Sequence, residues 1–239
     1  SLRNRLSELS ESLSLVLIGR LFDLVLIDNS FVQDRLGQWG VGQSKIKVVP
    51  VGIRRPIVFE GLNRKYDFCF LGRLVKSKGV LDLVEIMKII REKLTGSQLV
   101  IMGLGDQLPR LRNAFDRAGL SDLVVFLGEV DEPTKYRVLQ ESKVFVCPSY
   151  EEGWGIALAE ALSCGLPAVA YDLPVFREVF KNGPVLVPMG NREAIAAEVI
   201  KLLTDEDYYL MKSREGRESV EDYYLDLVLP KELSIIENL

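Results

Sequence analysis

From Tyr66 onward, short runs rich in β-branched and aromatic residues alternate with stretches in which apolar positions recur every three or four residues. YDFCFL, SQLVIM, LVVFL, KVFVC, LPAVA and VLV read as buried strands, and the segments between them are long enough for crossover helices. Leu81, Val84, Met87 and Ile90 mark one helical face, and Leu108, Leu111 and Phe115 mark another. This alternation predicts an α/β fold: a Rossmann-like, doubly wound, mostly parallel sheet with helices on both faces.

The segment before it reads differently. FDLVLIDNS and KIKVVPVGI are two further strands flanking a helix, SFVQDRLGQWG, and the turn at Pro50 to Gly52 with the polar GLNRKYD marks a linker. We read residues 1–55 as the remnant of a preceding α/β domain plus linker, 56–222 as the main domain, and 223–239 as a helical extension. Pro230 is expected to break the last helical pattern. Unpaired edges on the early strands would seek a partner, either the main domain or a second copy of the chain. The opening SLRNRLSELSESL predicts a helix with no strand before it, as expected of a piece of a longer protein.

Composition narrows the chemistry. The chain has 239 residues, 48% of them hydrophobic, enough for a sizeable core. A net charge of −4 argues against general attraction to nucleic acid, so any phosphate site must be local. The sequence contains no histidine, which removes Ser-His and Cys-His catalysis and the commonest metal ligand. Cys69, Cys147 and Cys164 lie in apolar contexts and read as small core residues in a reducing, cytoplasmic compartment. Arg20 and Asp23 interrupt the longest apolar tract, so neither a membrane span nor a signal peptide is expected.

The candidate chemistry lies at the strand ends. The first complete strand runs into LGRLVKSKG, whose Gly72 turn carries Arg73 and Lys78, a guanidinium fork and a mobile ammonium suited to a diphosphate. IMGLGDQLP places Gly103 and Gly105 after the second strand, where they form a tight turn or admit a ligand close to the backbone. Leu108 stands where a dinucleotide loop needs its third glycine, and no acid ends the third strand, so nicotinamide and flavin are disfavoured. Gly128 to Val130 could frame a flat base through backbone groups. In PSYEEGWGIALAEALSCGLPAVA, the amides of Gly153, Trp154 and Gly155 open a helix towards the same edge. Glu152 stands at the mouth of that helix and Glu160 lies inside it, among apolar neighbours. A carboxylate there is costly to bury unless donors meet it. A vicinal diol such as a ribose offers two, and a solvated glutamate on an outer face is the ordinary alternative. Phosphate-binding cations and diol-binding carboxylates in one crevice describe a nucleotide sugar as the ligand.

These residues resemble the retaining glycosyltransferases of family 4, also called glycosyl transferases group 1, which have the GT-B fold of two Rossmann-like domains facing a cleft. Glu152 to Glu160 matches the family's Glu-x7-Glu motif in its PSxxEGWG…EA setting, and residues 66 to about 222 resemble the donor domain. The resemblance implies that Glu160 binds the nucleotide ribose and Glu152 the donor hexose. It further implies that Gly153 to Gly155 lie near the sugar and phosphate, and that Arg73 and Lys78 hold the diphosphate and stabilise the leaving group. No metal or other cofactor is implied. The donor would be a UDP-, GDP- or ADP-linked hexose of the mannosyl or glucosyl type, transferred with retention to a sugar, lipid or small-molecule hydroxyl bound largely by the other domain. Peripheral membrane attachment of a full-length protein stays open. Two departures stand out: Val51, Gly52, Ile53 and Arg54 replace the family's Asn-Gly-Val-Asp linker, and most of the acceptor domain is missing, so this chain alone is expected to be inactive or nearly so. The alternatives are a non-catalytic nucleotide-sugar-binding module and, less favoured without histidine, a nucleotide-sugar epimerase.

Overall fold

The computed structural model describes residues 20–238 together with positions 14 and 17. The helix expected over residues 1–13 lies outside the described residues. The chain divides into two compact units, one formed by residues 53–222 and the other by the segment before residue 53 together with residues 223 onward.

In the smaller unit, β1 (Val25–Ile27) and β2 (Ile46–Val48) pair in parallel, joined by α1 (Phe31–Gln38). Ile27, Leu36, Val41 and Ile46 are buried between them as a small core. The last helix, α9 (Leu225–Glu237), belongs to this unit and runs through Pro230, against the sequence expectation of a break. Proline there forfeits one backbone hydrogen bond and crowds the carbonyl four residues back. Packing of the preceding turns holds the helix together: Val228 is buried, and Leu225 leaves no room for a Cβ at Gly52.

In the larger unit, β3 (Tyr66–Leu71), β4 (Leu99–Met102), β5 (Val124–Gly128), β6 (Ser142–Cys147), β7 (Ala168–Tyr171) and β8 (Val185–Val187) form one fully parallel sheet in the order β5-β4-β3-β6-β7-β8. All six expected strands form. β4 and β7 are buried along their whole length, as strands covered on both faces must be. The connecting helices are α2 (Asp82–Lys93), α3 (Leu108–Arg117), α4 (Glu132–Gln140), α5 (Ile156–Ser163), α6 (Pro174–Phe180) and α7 (Arg192–Thr204), followed by α8 (Glu206–Glu218). Leu83, Met87 and Ile90 of α2, Leu111 and Phe115 of α3, and Ile195 and Val199 of α7 share one core with Phe68, Phe70, Ile101, Val144 and Val146 of the sheet. Helices α4 and α5 also pack on the sheet, and α5 is backed by α8.

This strand order places the topological switch between β3 and β6, because the chain leaves β3 towards one edge and returns at β6 to build the other. In open α/β sheets ligands bind outside the carboxyl ends of the strands at such a switch point. The loops after both strands carry sequence-predicted residues: Gly72 to Lys78 follow β3, and Glu152 to Gly155 follow β6.

Candidate functional site

The loops at this edge are laced together by backbone. Gly72 donates its amide to the Met102 carbonyl at 3.0 Å, Leu74 to Leu104 at 2.8 Å, and Gly103 to Gly128 at 2.7 Å. Strand-like pairing thus continues past the ends of β3, β4 and β5. Such close approach requires glycine: a Cβ on Gly103 (φ 134°) would stand 1.9 Å from the Gly72 oxygen, and one on Gly105 would stand 2.2 Å from the Leu74 oxygen. Neither the tight turn nor the ligand contact expected of these glycines anticipated the neighbouring loop. Gly128 is left-handed at φ 70° and delivers the chain to the partly exposed Val130. Asp131 then caps α4 by accepting from the Thr134 amide at 3.0 Å, and those hydrogen bonds hold its carboxyl below the usual range.

The β3 loop continues through a single 3-10 turn, Lys76–Lys78, closed by Gly79 in the left-handed region. Lys78 Nζ meets Glu152 Oε2 at 2.6 Å, with both side chains largely shielded from solvent. The other Glu152 oxygen accepts from Ser149 Oγ at 2.9 Å. One ammonium proton is therefore directed at Glu152, and the ammonium has two more to offer. Arg73 is exposed, and its guanidinium has no ion-pair or hydrogen-bond partner among the described residues.

Gly155 at φ 106° turns the chain into α5, whose first turn receives no side-chain cap. A Cβ at Gly155 would meet the Phe176 ring at 2.7 Å, whereas one at Gly153 would meet nothing within 4 Å. Trp154 is buried with its ring edge-on to Phe180 at 5.4 Å, which anchors the turn. Gly153 is therefore exposed ahead of the start of α5, which has no side-chain cap and places the positive end of its dipole there.

Glu160 is met by a donor, as its burial requires. Lys135 Nζ of α4 lies 2.5 Å from Glu160 Oε1, and both side chains are largely covered. The second oxygen of Glu160 has no partner among the described residues. Sequence reasoning missed Lys135, because no spacing rule links residues 25 positions apart on different helices. It also missed Ser149 and the buried Asp82. A groove of about 670 Å³ opens beside these loops, lined by Lys76, Gln107, Arg110, Tyr150 and Arg192 among others. None of the sequence-predicted site residues lines it.

Residues 57–219, more than half of the chain, match the family model described as glycosyl transferases group 1. The chain belongs to that family. Among similar proteins, the phosphatidyl-myo-inositol mannosyltransferase of Mycobacterium leprae is 33% identical over 172 residues, covering 70% of this chain and 45% of that protein. The capsular polysaccharide biosynthesis glycosyltransferase CapM of Staphylococcus aureus is 25% identical over 238 residues, covering 90% of this chain and 61% of CapM. The chain therefore spans roughly half the length of these curated relatives. The solved structure of HepE from Anabaena in complex with UDP and glucose has a similar fold, with a TM-score of 0.84 at 17% identity over 95% of this chain and 66% of that one.

Within this group 1 glycosyl transferase chain, the Cys147 thiol stands behind the site, donating to Ser149 Oγ at 3.5 Å, and none of the three thiols is poised to ionise. Burial pushes Cys69 up to about 12, Cys147 to about 11 and Cys164 to about 12, so all three are protonated at neutral pH. Native protein at pH 7.5 is expected to react with an aromatic disulfide reagent at least about 100-fold more slowly than the unfolded chain, because the thiolate is the attacking species. Fast labelling of any cysteine without loss of structure would contradict this. Among the described residues, no helix is long and apolar enough to cross a membrane.

Proposed function

We propose that this chain is the donor-binding half of a retaining glycosyltransferase that takes a hexose from a UDP-, GDP- or ADP-linked sugar. The observation that carries the proposal is the convergence, at the switch between β3 and β6, of the exposed Arg73, the Lys78–Glu152 pair at 2.6 Å and Glu160 held by Lys135 at 2.5 Å. Arg73 and Lys78 bind the diphosphate, and the uncapped start of α5 adds its dipole. The half-satisfied Glu160 accepts from the two ribose hydroxyls. Glu152, oriented by Lys78 and Ser149, accepts from hydroxyls of the donor hexose, and the Gly153 to Gly155 backbone lines the sugar and phosphate. Gly72, Gly103 and Gly105 let the loops approach the phosphates, and Val130 offers its backbone to the base.

In this scheme the C1–O bond to the diphosphate breaks as charge develops on the leaving oxygen. Lys78 and Arg73 stabilise that charge, so the site works without a bound metal. An acceptor hydroxyl, supplied with the rest of the protein, attacks from the face the diphosphate leaves and passes its proton to the departing phosphate oxygen. That geometry gives retention without a protein nucleophile.

The reading is tested by calorimetry with UDP, GDP and ADP and their hexose conjugates. At least one should bind with a dissociation constant below about 1 mM, equivalent to about −4 kcal/mol. EDTA should leave that constant unchanged, and Arg73→Ala should raise it about tenfold at an unchanged melting temperature, because the side chain is exposed. No binding by any of the ligands at millimolar concentration would overturn the reading.

A further inference from the structure

We propose that Asp82 and Tyr150 are positioning residues for the Lys78–Glu152 pair, which rests on the nucleotide-sugar reading above. Asp82, in the first turn of α2, is a buried carboxylate that gathers donors from three other strand ends. Its Oδ2 accepts from Tyr150 Oη at 2.6 Å and from Tyr171 Oη at 2.8 Å, and its Oδ1 accepts from Arg192 Nε at 2.7 Å. Tyr150 lies in the loop after β6, Tyr171 closes β7, and Arg192 opens α7. The Asp82 hydrogen bond raises the Tyr150 hydroxyl above its ordinary range, and burial together with Asp82 does the same for Tyr171, so both phenols remain donors across the working pH range.

Asp82 follows Lys78 by four residues, and Tyr150 precedes Glu152 by two. The Asp82–Tyr150 hydrogen bond and the Lys78–Glu152 ion pair therefore close a ring that joins the β3 and β6 loops at two points. Backbone contacts leave that ring no slack. The amides of Tyr150 and Glu151 both donate to the Ser77 carbonyl, at 2.8 and 3.3 Å, and a Cβ on Gly79 would stand 1.8 Å from the Pro148 oxygen. A carboxylate buried with three charged or polar donors resists displacement, because moving any one of them strands a polar group out of water. With the Tyr150 and Glu151 amides still on Ser77, loss of the Tyr150 hydroxyl leaves that main chain in place but removes the side-chain tie to Asp82. Glu152, beyond the last backbone tie, then drifts from the position it shares with Lys78. Tyr171 uses the same Asp82 oxygen but carries no site residue on its own loop, so its loss loosens the core without moving the pair.

The two tyrosines thus separate positioning from stability. Tyr150→Phe should weaken binding of the nucleoside diphosphate that the wild-type chain prefers among UDP, GDP and ADP by about tenfold, measured by calorimetry. Tyr171→Phe should lower the melting temperature at least as much and leave affinity within twofold. In a Lys78→Met background, Tyr150→Phe should have no further effect on affinity. Unchanged affinity in Tyr150→Phe, equal losses in both tyrosine variants, or additivity with Lys78→Met would each overturn the assignment. If wild type binds and Lys78→Met weakens it while Tyr150→Phe does not, the positioning role alone fails. If wild type binds none of the three nucleotides, the site reading fails and this inference with it.

Discussion

Glu160→Gln is expected to weaken nucleoside diphosphate binding by about 100-fold. A ribose diol donates two hydrogen bonds to a carboxylate, and each charge-assisted bond contributes about 1.5–3 kcal/mol, or roughly tenfold or more in affinity. Lys135 already fixes one oxygen at 2.5 Å, so the carboxylate is oriented before the ligand arrives. Glutamine keeps one acceptor and turns its amide N–H₂ either to the Lys135 ammonium, which has no acceptor, or to the diol, where a neutral bond replaces a charge-assisted one. The ion pair is nearly buried but reaches solvent at its edge, with 17% and 12% exposure of the two side chains, so its loss should lower the melting temperature by only a few degrees. Calorimetry against the preferred nucleoside diphosphate is the direct measurement, with inorganic pyrophosphate as the control. Pyrophosphate uses Arg73, Lys78 and the start of α5 without Glu160 and should bind the variant as it binds wild type. Nucleoside diphosphate affinity within threefold of wild type would remove Glu160 from the site.

Gly103→Ala is expected to carry the largest cost in stability. Gly103 sits at φ 134°, a backbone region that costs other residues about 1–3 kcal/mol. The added methyl would stand 1.9 Å from the Gly72 carbonyl oxygen, which is backbone held in turn by the Gly72 amide on Met102. Forcing that contact apart adds about 1–3 kcal/mol more. A total near 4 kcal/mol corresponds to a fall of about 8–16 °C in melting temperature for a domain of this size. Gly153→Ala supplies the comparison, because its Cβ meets nothing within 4 Å and its φ lies outside the left-handed region. That variant should melt within about 1 °C of wild type. Equal melting temperatures for the two variants would show that the β3 and β4 loops separate freely in solution.

Much of the larger unit was legible in its strands because parallel strands buried on both faces must be apolar along their whole length. LVIM and AVAY are so continuous that burial leaves no other reading. The helix pattern failed at Pro230, where the local rule against proline is real but the packing of Leu225 and Val228 outweighs it. Local context likewise anticipated core cysteines at Cys69 and Cys147, which lie among Val and Phe and are buried, whereas Cys164 is only partly covered. Lys135 and Asp82 were invisible for one shared reason. Each belongs to a helix whose own pattern accounts for it, as a turn residue on α4 and as an acid in the first turn of α2, so neither looked out of place.

Residue chemistry and local spacing are written along the chain. They are enough for the strand-helix alternation, the Arg73 and Lys78 loop, the open start of α5, and the need for Glu160 to find a donor. Which donor it finds depends on strand order, because β5-β4-β3-β6-β7-β8 brings α4 against α5 and sets the β3 loop beside the β6 loop. Pairing Glu160 with Lys135, Lys78 with Glu152, and Asp82 with two tyrosines and an arginine joins residues 25 to 110 positions apart. No periodicity reaches that far. Burial selects these partners, since a charge removed from water is stable only beside the group the fold has placed within a hydrogen bond of it.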